Sequence, residues 1–276
     1  MIDLGAAGRN LRLASDGVWR SIDRHGVDYP DEGNTVCFAV EDESWWFRHR
    51  NACLIETMRR FPPAGEVFDI GAGNGYVAAG LEQAGFTTTV VEPGAAGIRH
   101  ARQRGLSRLI ESTLQDAGFA DETLPAVGMF DVVEHLPDDG AAFADLHRVM
   151  MPGARLYLTV PAFAWLWSGV DDLSGHHRRY TLGSLRERLL GQRFRVEWST
   201  YFFLPLPLPI LLSRTFPTLL GRGHDIAPPA VAESLKASTP VARYLTDTWS
   251  RAELAWLRAG HTLPFGSSCL VVARRT

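Results

Sequence analysis

The feature that most constrains this chain is the apolar run Val67-Phe68-Asp69-Ile70, which passes straight into Gly71-Ala72-Gly73-Asn74-Gly75 and then into a helical pattern. A buried strand that ends in closely spaced glycines and turns at once into a helix brings bare backbone close to a ligand. Gly71 and Gly73 lack the Cβ atoms that would block approach, and Gly75 lets the helix pack closely on the strand. This geometry serves more than one kind of nucleotide-like cofactor, and spacing discriminates among them. A dinucleotide fingerprint reads G-x-G-x-x-G. Counted from Gly71, its last glycine would fall on Tyr76. The spacing here is G-x-G-x-G, with Asp69 two residues ahead of it.

The alternation of elements continues on both sides. Residues 51–61 put Leu54, Ile55, Met58 and Phe61 on one helical face, ended by Pro62-Pro63-Ala64-Gly65. After the loop, the pattern predicts a helix over 76–84, a β-branched strand over 87–91 and a helix over 95–104. A short strand at 109–110, strands at 127–133 and 155–160, and a helix over 141–150 follow. Closing strands at 194–201 and 267–273 complete an α/β, doubly wound, mostly parallel seven-stranded sheet. Ser184-Leu185-Arg186-Glu187 reads as a capping box for a helix through 190, and residues 240–259 as a further helix. Residues 1–50 form an N-terminal helical arm and cofactor cover, polar and irregular over 1–43. Residues 51–276 form the main domain, with substrate-facing insertions at 162–180, after strand five, and at 201–262.

Composition bounds the function. A net charge of -3 gives no basic excess for nucleic acid. Cys37, Cys53 and Cys269 lie far apart without a C-x-x-C pair, so neither a disulfide framework nor a cysteine-rich zinc site is expected, and a cytoplasmic, reducing setting fits. Met1 to Asn10 lacks the long apolar run of a signal peptide. Residues 201–220 are strongly apolar but contain Pro205, Pro207, Pro209 and Pro217, which makes a membrane-spanning helix a poor fit. The stretch reads as a loop packed on the domain, as a hydrophobic mouth for an apolar substrate, or as a peripheral membrane contact.

The second strand ends Val90-Val91-Glu92, and an acid there can accept two hydrogen bonds from a ribose diol. With the glycine loop, this arrangement resembles the first motifs of class I S-adenosylmethionine-dependent methyltransferases. Further motifs carry the same resemblance: Glu43-Ser44-Trp45-Trp46-Phe47-Arg48, Phe130-Asp131-Val132-Val133-Glu134-His135-Leu136, Val160-Pro161, Leu166 to Asp171, and Gly175-His176-His177-Arg178-Arg179-Tyr180. They are similar to a bacterial small-molecule subfamily associated with sugar or lipid biosynthesis, over roughly residues 40 to 200, and Leu263 to Ser268 matches its final strand entry.

The resemblance implies a Rossmann-like methyltransferase fold with S-adenosyl-L-methionine as cofactor and S-adenosyl-L-homocysteine as product. It implies cofactor contacts from Asp69, Gly71, Ala72, Gly73, Gly75, Glu92 and Asp131, with Thr113 and Leu114 at the adenine. Thr113 stands where many members carry an aspartate. The resemblance implies that one of Trp45, Trp46 and Phe47, with Trp46 the candidate, closes over the cofactor, although these aromatics also suit a hydrophobic staple before the helix that follows; Arg48 could meet the cofactor carboxylate in a charge-assisted pair. His135, His176, His177 and Tyr180 are the candidates for substrate binding or base catalysis, against a structural or solvated role for each. The histidines lack metal-ligand spacing on one helix, and no metal is expected.

The expected reaction is in-line transfer of a methyl group to oxygen or nitrogen of a small-molecule, sugar or lipid-linked acceptor. The expected state is a monomer or homodimer, without nucleic acid and with peripheral membrane contact through 201–220 left open. A nicotinamide oxidoreductase, disfavoured by Tyr76, and a non-catalytic binding protein are the alternatives.

Overall fold

A computed structural model describes residues 1–23, 31–221 and 239–276 of the chain. A short helix α1 (Leu4–Ala7) leads into a hairpin of β1 (Leu11–Leu13) and β2 (Trp19–Ser21), followed by α2 (Asp31–Glu41) and α3 (Trp45–Arg60). The alternating unit runs β3 (Val67–Ile70), α4 (Tyr76–Gln83), β4 (Thr88–Val91), α5 (Ala95–Gln103), β5 (Leu109–Glu111) and β6 (Leu124–Phe130). Then come a 3-10 turn (Val133–His135), α6 (Asp139–Val149), β7 (Met150–Pro161), α7 (Gly169–Leu173), α8 (Leu182–Gly191) and β8 (Phe194–Phe202). Helical turns α9 (Pro207–Ile210) and α10 (Phe216–Leu219), α11 (Pro240–Arg258) and β9 (Ser268–Arg275) complete the described elements.

The sheet has nine strands in the order β1-β2-β5-β4-β3-β6-β7-β9-β8, which corrects the expectation of seven. The seven expected strands are all present; the extra pair is the β1–β2 hairpin in the arm. Its strands are three residues each, too short to carry a period-2 signal. β2 runs parallel to β5, and Arg20 donates across that seam to Glu111 at 2.7 Å. The hairpin therefore covers what would be an open sheet edge.

Both faces of the central strands are buried. Phe68 and Ile70 pack into one core with Val127, Leu146 and Leu158, while Val67 packs into the other with Leu54, Met58 and Tyr157. Alternate residues of a strand point to opposite faces, so near-continuous apolar runs are what such a two-sided sheet demands. β3 pairs in parallel with β4 on one side and β6 on the other. The chain thus reverses direction across the sheet at β3, and the crevice at such a switch point is where ligands sit in open α/β folds.

Three local expectations change. The helix expected from 51, α3, begins at Trp45, so the aromatic segment is its opening turn rather than its lead-in. α8 is capped by Thr181, whose hydroxyl accepts from Ser184 N–H, three residues before the expected box. Residues 207–219 are helical rather than a loop. Pro207 and Pro217 lie in the opening turns of their short helices, where a missing N–H leaves no bond unmade. A π-turn over Leu211–Thr215 links them. No helix among the described residues is long and apolar enough to cross a membrane.

Candidate active site

The switch point opens into a cavity of about 1030 Å³, at the top of the range for ligand pockets. Across the sheet, the lining residues arrive in strand order: Thr113 and Leu114 after β5, Glu92 after β4, Gly71 to Asn74 after β3, Asp131, Val132, Glu134 and His135 after β6, and Pro161 at the end of β7. The arm closes one side with Asn34, Glu41, Trp46 and Arg50, and the insertion closes the other with Asp171, His176, His177 and Arg179.

In the glycine loop, Gly73 sits at φ +54 with no crowding from the protein, and its N–H donates to Glu92 at 2.8 Å. Glu92 also accepts from Gly94 N–H at 2.8 Å, so one carboxylate ties the loop to the second strand end. Gly75 has a different task. A Cβ there would come within 2.7 Å of Leu106 and 2.9 Å of Ala101, so its smallness serves helix packing and it stands off the cavity. Ala72 and Leu114 line the cavity, as does Thr113, whose hydroxyl accepts from Asp116 N–H at 2.9 Å.

Asp69 is fully buried on the cavity wall, and its Oδ2 has no hydrogen-bond partner among the described residues. Burial pushes its carboxyl up to about 7, with the Arg50 charge pulling the other way. Asp131, at the end of β6, adopts φ +58, a strained conformation for a non-glycine residue, and pairs with Arg50. The Arg50 guanidinium lies 4.8 Å over Trp46 and 5.3 Å over Phe47.

Arg48, by contrast, donates to the backbone carbonyls of Asp42 and Glu43, and it is absent from the cavity wall. The helix explains this correction: residues 46 and 50 share a face of α3, and 48 lies on another. Nothing in the local sequence distinguishes the two arginines until the helix is known to start at Trp45. Asn34, Glu41 and Asn74 were also missed. Asn74 donates to the Asn34 carbonyl at 2.8 Å and to Glu41 at 3.0 Å, which clamps the arm onto the loop.

At the far end, Asp171 is buried and accepts from both Arg179 Nε and Nη2, at 2.7 and 2.9 Å, and from His176 Nδ1 at 2.9 Å. Burial alone would raise this carboxyl; the bonds from His176 and Arg179 and the Arg179 charge override it and hold it down at about 2. The His135 ring meets His176 edge-on at 4.8 Å. Burial, then the neighbouring His176, pushes His135 down to about 4. Glu134 is raised by burial and then by Asp131. His177 is exposed on the cavity rim, its backbone N–H pinned to the Glu134 carbonyl at 2.7 Å.

Tyr180 does not join this group. Its buried hydroxyl donates to Asp139 at 2.9 Å, behind the cavity wall, where Arg188 and Arg178 also hold Asp139. The histidine–arginine run alternates between sites, and the sequence alone could not say which side Tyr180 faced.

The chain matches a known family. Residues 46–197 match the methyltransferase domain family, and the chain belongs to it, as a class I S-adenosylmethionine-dependent methyltransferase. Its cofactor is S-adenosylmethionine. The chain is similar to a probable S-adenosylmethionine-dependent methyltransferase of Mycolicibacterium smegmatis, 24% identical over 171 residues, which cover 61% of this chain and 66% of that protein. It also resembles a ubiquinone biosynthesis O-methyltransferase of Pseudomonas aeruginosa, 28% identical over 100 residues, covering 34% of this chain and 43% of the relative. The chain thus spans less than two thirds of the length of these curated relatives. A solved complex of the Haloferax volcanii Trm112 methyltransferase activator with its putative methyltransferase shares the fold, with TM-score 0.56 and 15% identity over 88% of this chain and 94% of that one.

Proposed function

We propose that this protein transfers a methyl group from S-adenosylmethionine to an oxygen or nitrogen of a small acceptor with an apolar portion, by in-line displacement. One observation carries the reading: a single cavity joins the glycine loop and Glu92 to the histidines of the insertion, with Asp131 on the strand between them. A donor and an acceptor can therefore meet in one space, and positioning alone supplies much of the rate of such a transfer.

The residues fit the donor. The unpartnered Oδ2 of Asp69 suits the α-ammonium of its methionine portion. Arg50, whose Nε has no partner among the described residues, takes the carboxylate role expected of Arg48. Glu92, a carboxylate on the cavity wall just after β4, suits a ribose diol. Leu114 and Thr113 suit the adenine. When bound, the donor supplies an electrophilic methyl group on a cationic sulfur, and Trp46 and Phe47 line the same cavity.

An acceptor hydroxyl must lose its proton as it attacks. His135, pushed down to about 4, is a weak base near neutrality. The Nδ1 of His176 is committed to Asp171. His177 lines the cavity from its rim and is the proton acceptor in this reading. The acceptor's apolar portion enters beside residues 206–213. Leu206, Pro209, Ile210 and Ser213 line the cavity, while Leu208, Leu212 and Phe216 are exposed on the outer side of the same helical stretch. That outer row suits contact with a lipid surface that delivers a lipid-linked acceptor. The Pseudomonas aeruginosa relative, an O-methyltransferase by name, favours oxygen.

Calorimetric titration tests the donor half: micromolar binding of S-adenosylhomocysteine and none of NADH is expected, and the reverse pattern overturns the reading. Release of S-adenosylhomocysteine tests the acceptor half. Turnover should be faster for a phenolic or sugar acceptor bearing an alkyl chain than for the same acceptor without it, and equal rates would remove the apolar entry.

A further inference from the structure

We propose that Glu134, His135 and His176 form a binding site for one divalent transition-metal ion on the acceptor side of the cavity. One donor atom from each of the three lies within 4.8 Å of the others, and all three residues line the cavity. Glu134 and His135 are adjacent in the 3-10 turn that ends β6, whereas His176 comes from the insertion after β7. The earlier expectation of no metal rested on spacing along one helix, and a site split over two segments escapes that test.

Two observations point to a ligand. Glu134 is only 1% exposed, and its Oε2 has no hydrogen-bond partner among the described residues. A buried carboxylate oxygen left unpaired is costly, and a cation is a direct way to satisfy it. Second, His176 is held as metal-binding histidines are held. Its Nδ1 bonds to Asp171 at 2.9 Å, and Asp171 is itself fixed by Arg179 at 2.7 Å and by Ser168 N–H at 2.9 Å. This outer carboxylate sets the tautomer and turns Nε2 toward a ligand. Two imidazoles and one carboxylate are the donor set of zinc sites that keep a fourth position open. That position faces the cavity, where an acceptor oxygen can take it. Zinc–ligand distances of roughly 2.0–2.2 Å set tetrahedral donor–donor separations of about 3.4 Å, so the ligand atoms must approach one another by at most about 1.4 Å, which side-chain rotation can supply.

A second cluster, His49, Cys53 and Glu253, is equally compact but differs in both respects. Glu253 accepts from His49 and from the N–H groups of Phe203 and Leu204, and the three residues lie in the core away from the cavity. It provides an internal control.

Metal occupancy is read directly, so its failure and the failure of methyl transfer are distinguishable. The 276-residue protein, stripped with chelator, is titrated with Co2+ and followed by ligand-field absorption, with Zn2+ as competitor. One equivalent is expected to bind at micromolar concentration or below. Glu134→Gln and His176→Ala should abolish it, and Asp171→Asn should weaken it roughly ten- to a hundredfold. S-adenosylhomocysteine binding and melting temperature report whether each variant has folded; if Glu134→Gln has not, His176→Ala, on a half-buried loop, decides. Absence of binding at micromolar Co2+ overturns the site. So does binding that survives Glu134→Gln and His176→Ala but is lost in Cys53→Ser.

Discussion

Replacing Asp69 with asparagine should stabilise the ligand-free protein and weaken the donor site at once. Asp69 is fully buried, one of its oxygens has no partner among the described residues, and its carboxyl is pushed from 3.8 up to about 7. A carboxyl raised in the folded state makes folding take up a proton between the two values, so stability falls as pH rises from about 4 to 7. Below that window both states are protonated and above it both are ionised. Each pKa unit is worth about 1.4 kcal/mol, so a shift of about three units sets a ceiling of about 4 kcal/mol at pH 8. Water entry on ionisation lowers that ceiling, and a gain of at least about 1 kcal/mol is expected for Asp69→Asn at pH 8, shrinking toward zero at pH 4. Urea unfolding of both proteins at pH 5, 6, 7 and 8 measures it.

The same carboxylate pairs with the donor's ammonium in the proposed site. Affinity of the wild type for S-adenosylhomocysteine should therefore fall by up to about tenfold per pH unit below pH 7, and that dependence should vanish in the variant. A stability offset that stays constant from pH 5 to 8 would show that Asp69 does not titrate there. Unchanged affinity in the variant at pH 8 would move the ammonium elsewhere.

Three further outcomes follow from the geometry. Gly73→Arg should abolish S-adenosylhomocysteine binding with the fold retained by circular dichroism, because a long side chain at φ +54 fills the loop's open space; wild-type affinity would refute the loop assignment. His177→Ala should leave donor affinity within about threefold and lower turnover about 10²- to 10⁴-fold, as loss of a general base does; full turnover would strike it from the mechanism. Tyr180→Phe should lose about 1–2 kcal/mol in chemical denaturation, since Asp139 keeps Arg178 and Arg188, and should keep its turnover. Lost turnover at unchanged stability would bring Tyr180 back into the site.

Much of the sheet was legible because two-sided burial writes itself as apolar runs and helical periodicity. Val67 to Ile70, Thr88 to Val91 and the helices after them carry both signals strongly. The β1–β2 hairpin was not legible, since its three-residue strands take their stability from β5 and from the Arg20–Glu111 pair rather than from local pattern. Residues 207–219 misled for another reason: prolines were weighed as helix breakers, but two of them occupy opening turns where no donor is lost.

The site divides along the same line. Contacts made by consecutive residues at a strand end, such as Gly71 to Asn74 or Glu92, follow from order alone, because every parallel strand delivers its carboxyl end to one edge. Contacts made by helix faces depend on phase, and phase depends on where the helix starts. Had α3 begun at 51, Arg48 and Arg50 would both lie in a flexible lead-in and neither could be preferred. Beginning at Trp45, it sets Trp46 and Arg50 one turn apart on one face, so Arg50 reaches Asp131 while Arg48 turns to backbone carbonyls. An Arg50→Ala variant should thus weaken donor binding far more than Arg48→Ala, and equal effects would place the cofactor carboxylate elsewhere.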